Sequence, residues 1–225
     1  MRLGLLSDIH GNYPALEAAL AGLHNHNVEK ILIAGDIVGY YPYFNEVIDL
    51  LKKTDCLAIK GNHESYFFGD LEISESQWQN YMLDQVEREL SSSNREWLLQ
   101  LKTEEHLLID GLQIDLYHGS PWRIDEYVYP DHQSFDRFTD LDSSTIIMGH
   151  THIPMIKELE NKVLINPGAC GQPRDYIPGA CYGVLETGNG SVTLYRADYD
   201  IPGLMDDLRT RDCPEPLLEI LVRKR

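Results

Sequence analysis

Apolar runs recur along the chain, and each stops at a short polar cluster beside a glycine. Residues 3–6, 31–34, 56–59, 112–116 and 144–148 are rich in aliphatic and β-branched side chains, the composition of buried strands. The intervening segments change period. In NYPALEAALAGLHNH the apolar positions Leu16, Ala19, Leu20 and Leu23 fall on one helical face, and in YFNEVIDLLKK so do Phe44, Val47, Ile48 and Leu51. Strands alternating with amphipathic helices imply βαβ units and a mostly parallel sheet, which places a ligand outside the carboxyl ends of the strands. Residues 72–101 predict two helices, with Trp78, Met82 and Leu83 on one apolar face and Trp97, Leu98 and Leu101 on the other, forming a helical cap beside the cleft. Four later segments, MIKELE, KVLINPG, ACYGVLE and SVTLYRA, read as strands of a second sheet. The expected fold is α/β: two mixed β-sheets packed face to face and flanked by helices, in one domain over residues 1–225.

The polar clusters carry the chemistry. Asp8 and His10 follow the first strand, Asp36 the second, Asn62 and His63 the third, His118 the fourth, and His150 and His152 the fifth. Glycines beside them let the backbone turn sharply, so side chains from separate strands can converge. Asp8, His10, Asp36, Asn62, His118, His150 and His152 make seven donors, too many for one tetrahedral zinc and the right number for two metals that share a bridge. Oxygen and imidazole donors without thiolate suit manganese, the first choice here, or iron or zinc.

The ordered blocks SDIHGN, GDIVGY, GNHE, YHGS and GHTH resemble the calcineurin-like metallophosphoesterase superfamily over residues 7–152, and INPGACGQPRD resembles its small bacterial and archaeal, phosphodiesterase-like branch. The resemblance implies that Asp8, His10 and His152 hold one metal, that Asn62, His118 and His150 hold the other, and that Asp36 bridges them. It also implies that His63 is not a ligand but the general acid at the leaving-group oxygen, with Asn62 beside it counted as catalytic. Asn12 completes the first turn and is expected to contact substrate. Two positions depart from the pattern: Tyr41 stands where a small residue is common, narrowing the site or offering a stacking surface, and Ala169 stands where serine is usual, without its hydroxyl.

Phosphate esters resist attack because the nucleophile must approach an anion. Two cations neutralise that charge and lower the pKa of a shared water, so a bridging hydroxide is expected to attack phosphorus in line. A positioned imidazolium that protonates the leaving oxygen contributes about 10²–10⁴-fold. Arg174 is a candidate phosphate clamp, with a surface ion pair to Asp175 as the alternative. Tyr40 is a candidate contact to phosphate or base, with a packing role as the alternative. Trp122 and Arg123 follow the His118 turn and could line the entrance.

Composition narrows the partner. With 36 acidic and 19 basic residues the formal charge is −17, which opposes polyanions in general. A nucleic-acid polymer needs a basic track, and the only basic run is Arg223, Lys224 and Arg225, which a helix end or frayed tail explains. The expected substrate is therefore a small phosphate ester, a phosphodiester or a nucleotide of the dinucleoside polyphosphate kind. A serine/threonine-type protein phosphatase and a noncatalytic metal-binding scaffold are the alternatives. Four cysteines without a C-x-x-C pair, no leader and no apolar stretch of membrane length point to a cytoplasmic protein that does not engage membranes.

Overall fold

The computed structural model describes residues 1–224. The chain begins with β1 (Arg2–Leu6), α1 (Tyr13–Asn25), β2 (Lys30–Ile33), α2 (Phe44–Leu51), β3 (Cys56–Ala58) and α3 (Asn62–Phe68). Three short helices follow: α4 (Glu75–Asn80), α5 (Leu83–Glu89) and α6 (Ser92–Leu99). Then come β4 (Glu105–Ile109), β5 (Leu112–Leu116), a 3₁₀ helix (Phe135–Asp140), β6 (Thr145–Ile147), β7 (Met155–Leu159), β8 (Lys162–Asn166), β9 (Ala180–Glu186), β10 (Ser191–Ala197), α7 (Ile201–Thr210) and α8 (Glu215–Val222). Among the described residues no helix is long and apolar enough to cross a membrane. Arg225, the last residue of the basic run, lies outside them.

Two mixed sheets, ordered β10-β9-β1-β2-β3 and β4-β5-β6-β8-β7, stack face to face. Between them lies an aliphatic layer that includes Leu3, Leu5, Leu32, Ile114, Leu116, Ile147, Ile165 and Leu185. Leu6, Ile31 and Ile33 face the other way, into a layer with Leu16, Ala19 and Leu23 of α1 and Val47 and Ile48 of α2. Burial on both faces explains why these strands read as continuous apolar runs. The outer face of the second sheet is covered by Val128 and by Phe138 of the 3₁₀ helix.

Two expectations are corrected. ACYGVLE and SVTLYRA are β9 and β10, but they belong to the first sheet, where β9 pairs antiparallel with β1 in the register Leu3↔Leu185. Joining β1 there puts Leu185 in the inter-sheet layer, a long-range pairing that order along the chain does not reveal. Residues 72–101 form three helices, not two: Met82 adopts a left-handed conformation (φ 58°), Leu90 is extended, and Ser91 caps α6 by accepting from the Asn94 N–H at 3.2 Å. Leu83, Val86 and Leu98 of this segment pack into the helical layer of the first sheet, and the turn at Tyr81 reaches the polar cluster.

β1–β2 and β5–β6–β8 run parallel within their sheets, so the loops after them emerge together. Backbone bonds knit these loops: the Asp8 N–H donates to the Gly35 carbonyl at 3.0 Å, His10 to Asp36 at 3.0 Å, Gly149 to His118 at 2.8 Å and Gly171 to Asp8 at 2.9 Å.

Candidate metal centre

All seven expected donors are buried at this junction. Asp8, His10, Asp36 and His152 offer atoms within 4.8 Å of one another, and so do Asp36, His118 and His150. Asp36 is thus common to two donor groups. Its Oδ2 lies 3.3 Å from His118 Nε2 and 3.7 Å from His10 Nε2, while Oδ1 accepts from the His63 backbone N–H at 2.9 Å. Asn62, at the start of α3, joins the second group through Oδ1, 2.9 Å from His118 Nε2.

The donor set fits a metal. His10 Nδ1 donates to the Val38 carbonyl (3.2 Å) and His152 Nδ1 to the Gln172 carbonyl (2.6 Å), which leaves Nε2 of each as an acceptor. Those two Nε2 atoms face each other at 3.1 Å. Asp8 Oδ1, 3.3 Å from His152 Nε2, is a buried oxygen with no hydrogen-bond partner. Converging lone pairs without a donor between them call for a cation. His150 Nε2 donates to the Asp125 carbonyl at 3.1 Å, freeing Nδ1, and His118 Nδ1 donates to the Ala34 carbonyl at 2.6 Å, which turns its Nε2 to Asn62 Oδ1 and Asp36 Oδ2, where a metal would take the place of its proton.

Electrostatics follow from burial. Burial lowers the pKa of His10 and His152 and takes His150 down to about 3, so these rings stay neutral, the form that ligates. Burial also disfavours charge on His118, but Asp36 and Asp8 outweigh it and push His118 up to about 9. For Asp8 and Asp36 burial opposes ionisation, yet surrounding histidines, His152 for Asp8 and His118 for Asp36, hold both carboxyls below the usual range.

His63 stands at the edge of the cluster. Its Nε2 is 3.9 Å from Asp36 Oδ2, and its Nδ1 is buried without a partner, against Gly39. The ring stacks on Tyr81 (4.6 Å, 25°) and meets Tyr40 at 4.8 Å. Burial, with His152, His118 and Arg174 adding to it against the pull of Asp36, brings its pKa to about 4.

The other expected site residues divide. Arg174 donates to the Tyr40 hydroxyl at 3.1 Å and to Gln172 Oε1 at 3.0 Å, whereas Asp175 pairs with Arg196, so the alternative ion pair does not form. Tyr40 is 8% exposed, with its ring 4.6 Å from that of His10. Tyr41 offers no stacking surface: it is 1% exposed, packs with Leu204, Leu208 and Leu218, and donates to the Leu217 carbonyl at 2.9 Å. Its large apolar ring is accommodated by α7 and α8, which lie far along the chain. Asn12 is likewise turned inward. It caps α1 by accepting from the Ala15 N–H at 3.2 Å and donates to the Gly171 carbonyl at 2.8 Å, so both ends of its amide are engaged within the protein. Ala169 is fully buried. Trp122 and Arg123 stand on the loop after His118, where Arg137 lies over the Trp122 ring at 3.8 Å and Arg123 pairs with Asp125.

Sequence reasoning missed Glu64, Tyr81 and Tyr127. Glu64 accepts four backbone N–H bonds, from Asp36 (3.0 Å), Ile37 (2.8 Å), Val38 (3.0 Å) and Gly61 (2.7 Å). Burial and Asp36 raise its pKa to about 7 against the pull of those donors. A glutamate three residues after Gly61, at capping-box spacing, was the available signal. For Tyr81 and Tyr127, in irregular segments, periodicity offered none.

A family model for the calcineurin-like phosphoesterase superfamily domain matches residues 1–190. An uncharacterized protein of Methanocaldococcus jannaschii is 31% identical over 97% of this chain and 96% of its own length. A phosphodiesterase of the same archaeon is 25% identical, over 83% of this chain and 93% of its own. The crystal structure of a metallophosphoesterase from Sphaerobacter thermophilus superposes with a TM-score of 0.84 at 28% identity, covering 99% of this chain and 98% of that one.

Proposed function

The chain belongs to the calcineurin-like phosphoesterase superfamily and is a metal-dependent phosphoester hydrolase; from that premise we propose that it cleaves small phosphate esters, a phosphodiester or a nucleotide of the dinucleoside polyphosphate kind. The observation that carries this reading is Asp36, shared by two buried donor groups. In it, Asp8, His10 and His152 would hold one ion and Asn62, His118 and His150 the other, with Asp36 available to both, manganese being the first choice and iron or zinc the alternatives. Two such ions would supply charge neutralisation at the phosphate and a water of lowered pKa.

The chain's own residues do the rest. Arg174, held by Tyr40 and Gln172, presents its guanidinium to a phosphate oxygen. His63 has its Nδ1 against Gly39, so the atom free to exchange a proton is Nε2, on the side of Asp36. In this reading His63 gives a proton from Nε2 to the leaving oxygen. Asn62 is the first residue of the helix that carries His63, and its Oδ1 faces His118. The charge of −17 works against polymeric polyanions, which supports a compact substrate. Four free cysteines support a cytosolic location.

The test has two arms. His63→Gln should retain both metals while slowing hydrolysis, most for esters with poor leaving groups; a halved metal content would make His63 a ligand instead. Wild-type kcat/KM is then compared across a dinucleoside polyphosphate, a simple diester, a monoester, a phosphopeptide and single-stranded DNA. A preference of about tenfold for DNA or phosphopeptide, about 1.4 kcal/mol, would overturn the small-substrate reading.

A further inference from the structure

The loop after His118 is anchored to the metal cluster. Its Asp125 carbonyl accepts from His150 Nε2 at 3.1 Å, and its base is closed by the Ser120 N–H on the Arg123 carbonyl at 2.9 Å. Two residues past Asp125, the ring of Tyr127 lies over that of His150, 4.0 Å between centres at a 33° tilt. Tyr129 lies parallel to Tyr127 within 7°, with 5.6 Å between ring centres. Both rings keep open surface, 44% of Tyr127 and 39% of Tyr129. Through its contact with His150, the Tyr127 ring stands beside the donor cluster, and Tyr129 continues it outward.

This arrangement has a chemical meaning. Neither ring is needed to close the core, and the −17 charge gives the protein little means of holding a substrate by its charges away from the metals. Parallel exposed aromatics are flat and polarisable, and they favour a planar π-system over an alkyl chain. Resting on the phosphoesterase reading, we propose that Tyr127, extended by Tyr129, is the surface on which the organic group of the substrate lies, and that this group is the heteroaromatic base of a nucleoside phosphodiester. The phosphate sits between the cluster and Arg174, and the base reaches back over the Tyr127 loop.

The experiment measures competitive inhibition of the metal-loaded enzyme by adenosine 5′-monophosphate and by methyl phosphate, two monoesters that differ only in the organic group. The nucleotide should bind more tightly by roughly 5- to 150-fold in the wild type, the range of one base stacked on one aromatic ring. Tyr127→Leu should collapse that ratio towards one, and Tyr127→Phe should preserve it. A wild-type ratio near one overturns the proposal, and so does a Leu variant in which both constants weaken while the ratio stands, because Tyr127 would then merely support His150. If the wild type hydrolyses no phosphoester with any divalent metal, the functional reading falls, and calorimetric titration of the same two compounds still decides the base-binding surface.

Discussion

At Gly39 the backbone sits at φ +92°, and a β-carbon there would come within 2.1 Å of His63 Nδ1. The contact is made with a stiff ring that is already stacked on Tyr81, so the ring has nowhere to yield except into the cleft. Gly39→Ala is therefore expected to displace His63 without removing a ligand. Turnover should fall by at least tenfold, up to the about 10²–10⁴-fold associated with a general acid, while metal content after desalting stays at the wild-type value. Wild-type turnover in this variant would show that the position of His63 is immaterial.

Between elements, the decisive link is one carboxylate. Glu64 in α3 ties together the loop after β2 and the turn before α3, accepting from Asp36 and Gly61 with Oε2 and from Ile37 and Val38 with Oε1. Asp36 is thereby held from its backbone while its side chain faces the histidines. Glu64→Gln preserves volume but turns an NH₂ group on two of the four donors in either amide orientation. We expect a loss of about 1–3 kcal/mol in the metal-free protein, the cost of buried donors left unpaired, and a metal affinity weakened by about 10–100-fold, as for other residues that orient ligands. Urea denaturation and metal titration measure the two effects; if neither moves, the clamp carries no load.

For the molecule as a whole, the junction of the two sheets concentrates what a folded chain ordinarily avoids. Three carboxylates, Asp8, Asp36 and Glu64, are buried together. Asp8, His10, Asp36, His150 and His152 all occupy the left-handed region, with φ between 52° and 64°, which side chains other than glycine's adopt only at a cost. Ligand binding to the folded state alone offsets such costs. At a free metal concentration a hundredfold above Kd, the gain is about 2.7 kcal/mol, or a rise of roughly 5–10 °C in Tm for a chain of this size. Thermal unfolding with a chelator and with excess Mn²⁺ reads the difference; equal midpoints would rule out a metal site formed only on folding.

The sequence by itself determined what depends on local period and local chemistry. Apolar runs ending in glycine and Asp, Asn or His marked the strand ends, most clearly in β1 and β2, where burial on both faces leaves little room for polar side chains; all seven donors lie where those ends meet. Helical spacing similarly exposed the buried faces of α1 and α2. Tertiary structure alone decided what depends on which distant segment arrives next to which. The placement of β9 against β1, the burial of Tyr41 under α7 and α8, the inward turn of Asn12 and the approach of Tyr81 and Tyr127 to His63 and His150 have no periodic signature. A side chain's periodicity reports which way it points from its own strand or helix, whereas its neighbours are set by contacts that close only when both sheets have formed.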